Sequence, residues 1–318
     1  MGCKDRAEVA IVVQGDGKDI LIRANFIYCL LRQVEATGLI IDVFCHGSEE
    51  IAKFAFGMQP YVAKVYGSPK EDEEFRYDAC IYLQQYPEVV FWNNTIEDNY
   101  PKLLTIMKRW KKFIQDAPLR QYELVHPDKG INHWLYAINN GRNCINAMDV
   151  HGLLGMKKCY EYQIDIEPQE EVRILQQYGV KAGEYFTVYY EVSYKERRFT
   201  EECLIQQYEL LMRYIKEKYS DFKIVQMVSE NTPVLSGMDI KVGLDDVNID
   251  DLACLMKNAK IHVGCDNMLL HLRAITGGGK SVTMYGQPLK EYSAIEGNLS
   301  IDVQEMDMNE ALERIRGL

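Results

Sequence analysis

Residues Ile261–Pro288 read IHVGCDNMLLHLRAITGGGKSVTMYGQP. The stretch predicts a short strand over Ile261–Val263, a turn carrying Asp266 and Asn267, and a helix over Met268–Thr276. A Gly-rich loop and a second strand over Ser281–Tyr285 follow. In open α/β sheets, ligands sit outside the carboxyl ends of the strands, where the next helix begins. The first turn of such a helix offers unpaired backbone N–H groups and the positive end of its dipole, which suits a phosphate. Asp266 and His271 flank that point. The stretch therefore predicts a site for a phosphate-bearing ligand, with a carboxylate placed to read hydroxyls.

Working outward, the second half repeats the pattern. Strands are predicted at Tyr185–Tyr190, Lys223–Val228 and Asp239–Val242, and helices at Thr200–Tyr219 and Ile249–Lys257. The first half does the same, with strands at Val9–Val13, Ile40–Cys45, Val62–Val65 and Ala79–Leu83. Its helices are predicted at Ile20–Val34, Glu49–Phe56 and Tyr100–Ile114, and a last helix is expected near Asn309–Ile315. Such alternation implies parallel sheets covered by helices. Pro168 and the acidic run Glu167–Glu171 read as a hinge, so residues 1–166 and 167–318 are expected to form two Rossmann-like domains facing a central cleft. The segment Asp116–Asn146, rich in Tyr, Asn, Gly and His, has no readable period.

Bulk properties narrow the class. A chain of 318 residues, 47% hydrophobic and 26% charged, has ample material for two cores. A net charge of -11 argues against nucleic acid as a partner and against a strongly basic membrane surface, leaving at most peripheral membrane contact. The basic run Lys108, Arg109, Lys111 and Lys112 reads as the solvated face of a helix. Nine cysteines without CxxC spacing fit a reducing cytoplasm. MGCKDRAEV lacks the apolar core of a signal peptide, and no apolar run is long enough to span a bilayer.

Several motifs invite a chemical reading. Gly15–Ile20, GDGKDI, begins like a dinucleotide fingerprint, but Ile20 stands where the third Gly belongs. It is either a tight turn exposing Asp16 or Asp19, or an ordinary βα turn in which Asp19 caps the helix. Ala274–Ser281 imitates a phosphate loop, yet it follows a helix and reads better as an αβ loop with Gly277 ending that helix. Lys195, with Arg197 and Arg198, follows a strand end and can meet a diphosphate as a point charge. Glu230 follows another strand end, where a carboxylate can accept from both ribose hydroxyls, although alone it reads as a surface residue. No HExxH or DxD spacing occurs, so neither a metal nor a metal-held nucleotide is expected.

With these pieces in order, the chain resembles the glycosyltransferase family 9 heptosyltransferases, bacterial enzymes of the GT-B superfamily that use ADP-heptose. The strongest match is NIDDLACLMKNAKIHVGCDNMLLHLRA, Asn248–Ala274, continuing into VTMYGQP, Val282–Pro288. Gly17–Arg32, GKDILIRANFIYCLLR, is the amino-terminal counterpart; His151–Lys158 and Ser193–Glu202 fall in the family's order. The chain departs from the pattern at Asn267 (Thr or Ser in the family), Met268 (Gly), Lys18 (Gly) and Asn25 (Pro).

The resemblance implies an inverting, metal-independent transfer of a sugar, heptose from ADP-heptose, to a hydroxyl of a bacterial surface glycan such as lipopolysaccharide core. It implies no cofactor beyond the nucleotide-sugar substrate, a glycan or glycolipid acceptor, and a cytoplasmic location that reaches the inner face of the membrane. It makes Asp19 the catalytic base, Lys195 a ligand of the donor diphosphate, Glu230 a ligand of the ribose, and Asp266 a ligand of sugar hydroxyls. Asn267 and Met268 would give backbone N–H groups to phosphate, with His271 supporting their loop. Two rivals stand beside this reading: a nucleotide-sugar epimerase or hydrolase on the same fold, and a catalytically impaired nucleotide-sugar-binding protein.

Overall fold

The structure is a computed structural model, and it describes residues 6–35, 37–68, 76–116, 136–149, 151–190, 201–230, 232–285, 294–302 and 313–314. The chain divides into two compact units, Met1–Tyr162 and Gln163–Leu318. Most of the final helix expected near Asn309–Ile315 falls outside the described residues.

The first unit opens with β1 (Ala7–Gln14), α1 (Gly17–Val34), β2 (Leu39–His46), α2 (Glu49–Phe56) and β3 (Val62–Tyr66). It continues with β4 (Ala79–Leu83), β5 (Pro87–Trp92), α3 (Asn94–Asn99) and α4 (Pro101–Asp116). Its sheet runs β3-β2-β1-β4-β5. The first four strands are parallel, and β5 lies antiparallel on β4. Neither β5 nor α3 was expected. The edge strand β5 buries only Pro87 and Val89 outright, and Pro87 is tolerated because it is the strand's first residue.

Apolar residues at helical spacing explain α1: Ile20, Leu21, Ala24, Ile27, Leu30, Leu31 and Val34 are all buried. The helix begins three residues before the expected Ile20, because Asp16 rather than Asp19 is its N-cap. The Asp16 carboxylate accepts from the Asp19 N–H at 3.1 Å. In α4, Leu103, Ile106, Met107, Trp110 and Phe113 turn inward. Of its basic run, Lys108, Arg109 and Lys112 are exposed, while Lys111 lies over the Trp92 ring at 4.8 Å.

Asn25, within the apolar face of α1, has a local role. Asn25 is fully buried, and its Oδ1 accepts from the backbone N–H groups of Glu161 (2.8 Å) and Tyr162 (2.9 Å). It thereby ties α1 to an aperiodic loop that Asn143, Asn146 and Asp149 organise through buried bonds to backbone. Asp149, for example, accepts from the N–H groups of Leu154 and Met156 at 3.0 and 3.1 Å.

The second unit contains α5 (Pro168–Gln177), β6 (Tyr185–Tyr189), α6 (Glu201–Lys218), β7 (Lys223–Val228) and β8 (Ile240–Gly243). It ends with α7 (Ile249–Asn258), β9 (Ile261–Gly264), α8 (Met268–Ile275), β10 (Ser281–Tyr285) and β11 (Leu299–Asp302). The run Glu167–Glu171, expected as a hinge, opens helix α5. Pro168 sits at its first position, where the missing N–H costs nothing, and the acidic run fills its first turn, where the helix dipole favours it. The sheet order β11-β10-β9-β6-β7-β8 is parallel throughout. In chain order that is 6-5-4-1-2-3, the doubly wound Rossmann arrangement, which reverses direction between β6 and β9.

One face of this sheet packs Phe186, Val188, Ile224, Val263 and Val282 against Leu211, Met212 and Ile215 of α6. The other face carries an unusual buried polar residue, His262. Its Nδ1 lies 3.1 Å from the Thr187 hydroxyl, and its Nε2 has no hydrogen-bond partner among the described residues. Burial, reinforced by the Arg273 charge, pulls the ring from its ordinary 6.5 down to about 3. Below pH 6.5 the unfolded chain binds a proton that the folded chain refuses. The stability tied to the neutral ring is therefore whole above 6.5 and falls by about 1.4 kcal/mol per pH unit towards 3. By pH 5 the wild type is expected to lose about 2 kcal/mol more than His262→Val, read from urea midpoints. Parallel pH profiles would show that this ring is not held neutral in the fold.

Candidate functional site

Each unit has a point at which its strand order reverses; Asp19 falls at the first, and Asp266, Asn267, Met268 and His271 at the second. In the first unit the reversal lies between β1 and β4. The chain leaves β1 through Gly15, with φ of +130°, a conformation that side-chain-bearing residues rarely adopt. A Cβ on Gly15 would lie 2.4 Å from both Cβ and Oδ2 of Asp19, so the Asp19 side chain is packed directly over the turn. A Cβ on Gly47, after β2, would lie 2.6 Å from the Gly15 carbonyl oxygen. Asp19 keeps 41% side-chain exposure, and its Oδ1 pairs with Nη1 of Arg23 at 2.8 Å. Arg23, one helical turn on, is buried. Its Nε donates to the Leu83 carbonyl at 2.8 Å and its Nη2 to that of Gln84, both at the carboxyl end of β4.

In the second unit the reversal lies between β6 and β9. The segment leaving β6 contains Lys195, which lies outside the described residues. The segment leaving β9 carries Asp266 and Asn267. Asp266 Oδ1 lies 3.0 Å from Nε2 of His271, whose ring is fully buried. Asn267 is the N-cap of α8, and its Oδ1 accepts from the N–H groups of Leu269 (2.9 Å) and Leu270 (3.3 Å). The cap thus consumes two of the helix's open donors internally, and Met268 stands at the first helical position. Beneath the turn, a Cβ on Gly264 would meet His262 Nε2 at 2.5 Å, which fixes glycine as the last residue of β9. Glu230 is exposed after β7, beside a turn closed by Ser229 and Thr232, whose hydroxyls lie 2.6 Å apart.

The structure thus brings Asp266, Asn267, Met268 and His271 together on one turn. Glu230 follows the neighbouring strand of β6, and Asp19 belongs to the other unit. Arg23, His262 and Arg273 were missed, since a polar residue within an apolar period reads as solvent-facing. Only the four-residue spacing of Asp19 and Arg23 offered a signal. Among the described residues, no group of three or more His, Cys, Asp and Glu is placed to hold a metal ion. Among them too, no helix is long and apolar enough to cross a membrane.

No protein-family model matches the chain, and no curated protein does. Solved structures do match along its whole length. A glycosyl transferase of family 9 from Veillonella parvula DSM 2008 superposes with a TM-score of 0.58 at 12% identity, over 100% of this chain and 91% of that one. The E. coli ADP-heptose lipopolysaccharide heptosyltransferase II gives 0.57 at 11% identity, covering 98% of both chains. E. coli heptosyltransferase WaaC, with ADP-2-deoxy-2-fluoro heptose, gives 0.52 at 16% identity, covering 98% of this chain and 99% of that one. At such identities the likeness speaks for architecture: the chain has the fold of the family 9 glycosyltransferases, two Rossmann-like domains of the GT-B kind.

Proposed function

We propose that the protein is an inverting, metal-independent glycosyltransferase that moves a sugar, heptose from ADP-heptose, to a hydroxyl of a bacterial surface glycan. The observation that carries this reading is the turn after β9. It presents Asp266, held by His271, beside the first turn of α8 at the reversal point of a doubly wound sheet. A structural neighbour, WaaC, has been solved with ADP and with an ADP-heptose analogue, which supports the choice of donor.

In this mechanism the acceptor hydroxyl attacks the anomeric carbon while Asp19 takes its proton. The bond from that carbon to the diphosphate breaks, and the nucleoside diphosphate leaves with the electron pair. One displacement inverts the anomeric centre. Lys195 and the backbone N–H groups at Asn267 and Met268 meet the developing negative charge, aided by the positive end of the α8 dipole. Glu230 holds the ribose hydroxyls and Asp266 those of the sugar. The enzyme works in the cytoplasm with peripheral access to the membrane face, and the reduced, buried thiols of Cys29, Cys45 and Cys254 suit a reducing compartment.

A thermal-unfolding screen over nucleoside diphosphates and nucleotide sugars tests the donor assignment. At a hundredfold excess over Kd, a ligand of the folded state adds about 2.7 kcal/mol. ADP and ADP-heptose are expected to raise the midpoint most. A flat response to every nucleotide and nucleotide sugar would refute the reading.

A further inference from the structure

Arg23 has left water without a stability argument for doing so. It is 6% exposed, and its guanidinium bonds the carbonyls at the end of β4, the strand beside β1 where the strand order reverses. An apolar side chain of similar volume would fill that space at no electrostatic cost. An exposed Asp–Arg pair one turn apart on a helix contributes only a few tenths of a kcal/mol, so pairing alone does not account for the buried charge. The guanidinium instead makes a three-way junction. Nε and Nη2 are spent on the Leu83 and Gln84 carbonyls, which fixes the plane of the group against β4. The third nitrogen, Nη1, then meets Asp19 Oδ1 at 2.8 Å. From the other side, Gly15 leaves room for the Asp19 side chain that no larger residue would leave. One carboxylate oxygen is thus anchored to the sheet through Arg23, while the other rests over the Gly15 turn at the sheet's carboxyl edge.

We propose that Arg23 is the positioning residue for Asp19: it ties the carboxylate to the end of β4 so that a fixed oxygen faces the acceptor hydroxyl. The inference rests on Asp19 being the base. Arg23 touches no reacting atom and works through geometry, since misplacing a reacting group by about 1 Å can cost roughly a hundredfold in rate. A lysine keeps the charge and loses the planar fork, so it cannot hold two carbonyls and a carboxylate in one plane.

The test uses the full chain with ADP-heptose and a lipopolysaccharide core lacking heptose. Arg23→Gln and Arg23→Lys are both expected to lower kcat roughly a hundredfold while the donor KM stays within about twofold. In Arg23→Ala, millimolar guanidinium is expected to refill the vacated fork and restore kcat by about tenfold or more, which a general loss of folding would not permit. Should Arg23→Gln fail to fold, Arg23→Lys carries the same test. Either variant turning over within about threefold of wild type would overturn the inference, as would an Arg23→Ala enzyme indifferent to guanidinium. If Asp19→Asn keeps the wild-type rate, or the wild type transfers nothing, the base reading falls and this inference with it. An inactive Asp19→Asn beside a fully active Arg23→Gln removes the inference alone.

Discussion

Arg273→Met is expected to destabilise the second unit by about 4 kcal/mol, the scale of breaking a buried hydrogen-bond network. Arg273 is fully buried. Its Nε donates to the Gly279 carbonyl at 2.9 Å, and its Nη2 reaches Ala259 at 3.0 Å and Lys260 and Lys280 at 3.3 Å. Its Nη1 bonds the Met256 carbonyl and lies 3.5 Å from that of Lys257. These carbonyls come from the end of α7 and from the loop that feeds β10. A helix end leaves its last carbonyls open, and here one guanidinium closes them while pinning the neighbouring loop. Burial lowers its pKa to about 10, with the Tyr185 hydroxyl acting the other way, so the group is still a cation at neutral pH. Methionine keeps the apolar stem and strands the carbonyls. A domain of this size should lose roughly 10 °C in its unfolding midpoint. A loss of under about 1 kcal/mol, the scale of an exposed pair such as Lys53–Glu49, would show that water substitutes for the guanidinium.

Asp19→Asn is expected to lower transfer by roughly 10²–10⁴-fold, the usual worth of a positioned general base. Asparagine keeps the size of the side chain over Gly15 and can still face Arg23, but it cannot take a proton. Donor affinity should be unchanged, because the residues assigned to the nucleotide sugar belong to the second unit. Titrating ADP into wild type and variant by calorimetry, beside the transfer rate, separates the two effects. Equal ADP affinity with a collapsed rate assigns the proton transfer to Asp19. An unimpaired rate removes Asp19 from the chemistry, and a joint loss of both makes it a structural carboxylate.

The sequence made the βαβ pattern legible, because buried parallel strands and amphipathic helices have distinct periods. The unit from β9 to β10 is the clearest case. Its strand, turn and helix were expected within a residue or so, and the structure supplies the reason in Asn267, which caps α8. Elements without a period of their own stayed hidden. Pro168 with its acidic neighbours suits a linker and a helix start equally, and only packing chose the helix. The loop from Asn143 to Tyr162 is held by side chain–backbone bonds that leave no repeating pattern. The two aspartates after β1 compete on the same terms: Asp16 and Asp19 are both cap residues by type, and the geometry of Gly15 gave the cap to Asp16. Buried Arg23, His262 and Arg273 escaped because their partners are backbone carbonyls and hydroxyls brought close only by folding.

The most direct trial of a sugar transferase is to follow ADP release from ADP-heptose by the wild-type protein, with and without a heptose-free lipopolysaccharide core. Release that depends on the acceptor, matched mole for mole by a new glycosidic bond of inverted configuration, is the predicted result. Release that proceeds equally fast without acceptor, or nucleotide that binds and never turns over, would contradict it.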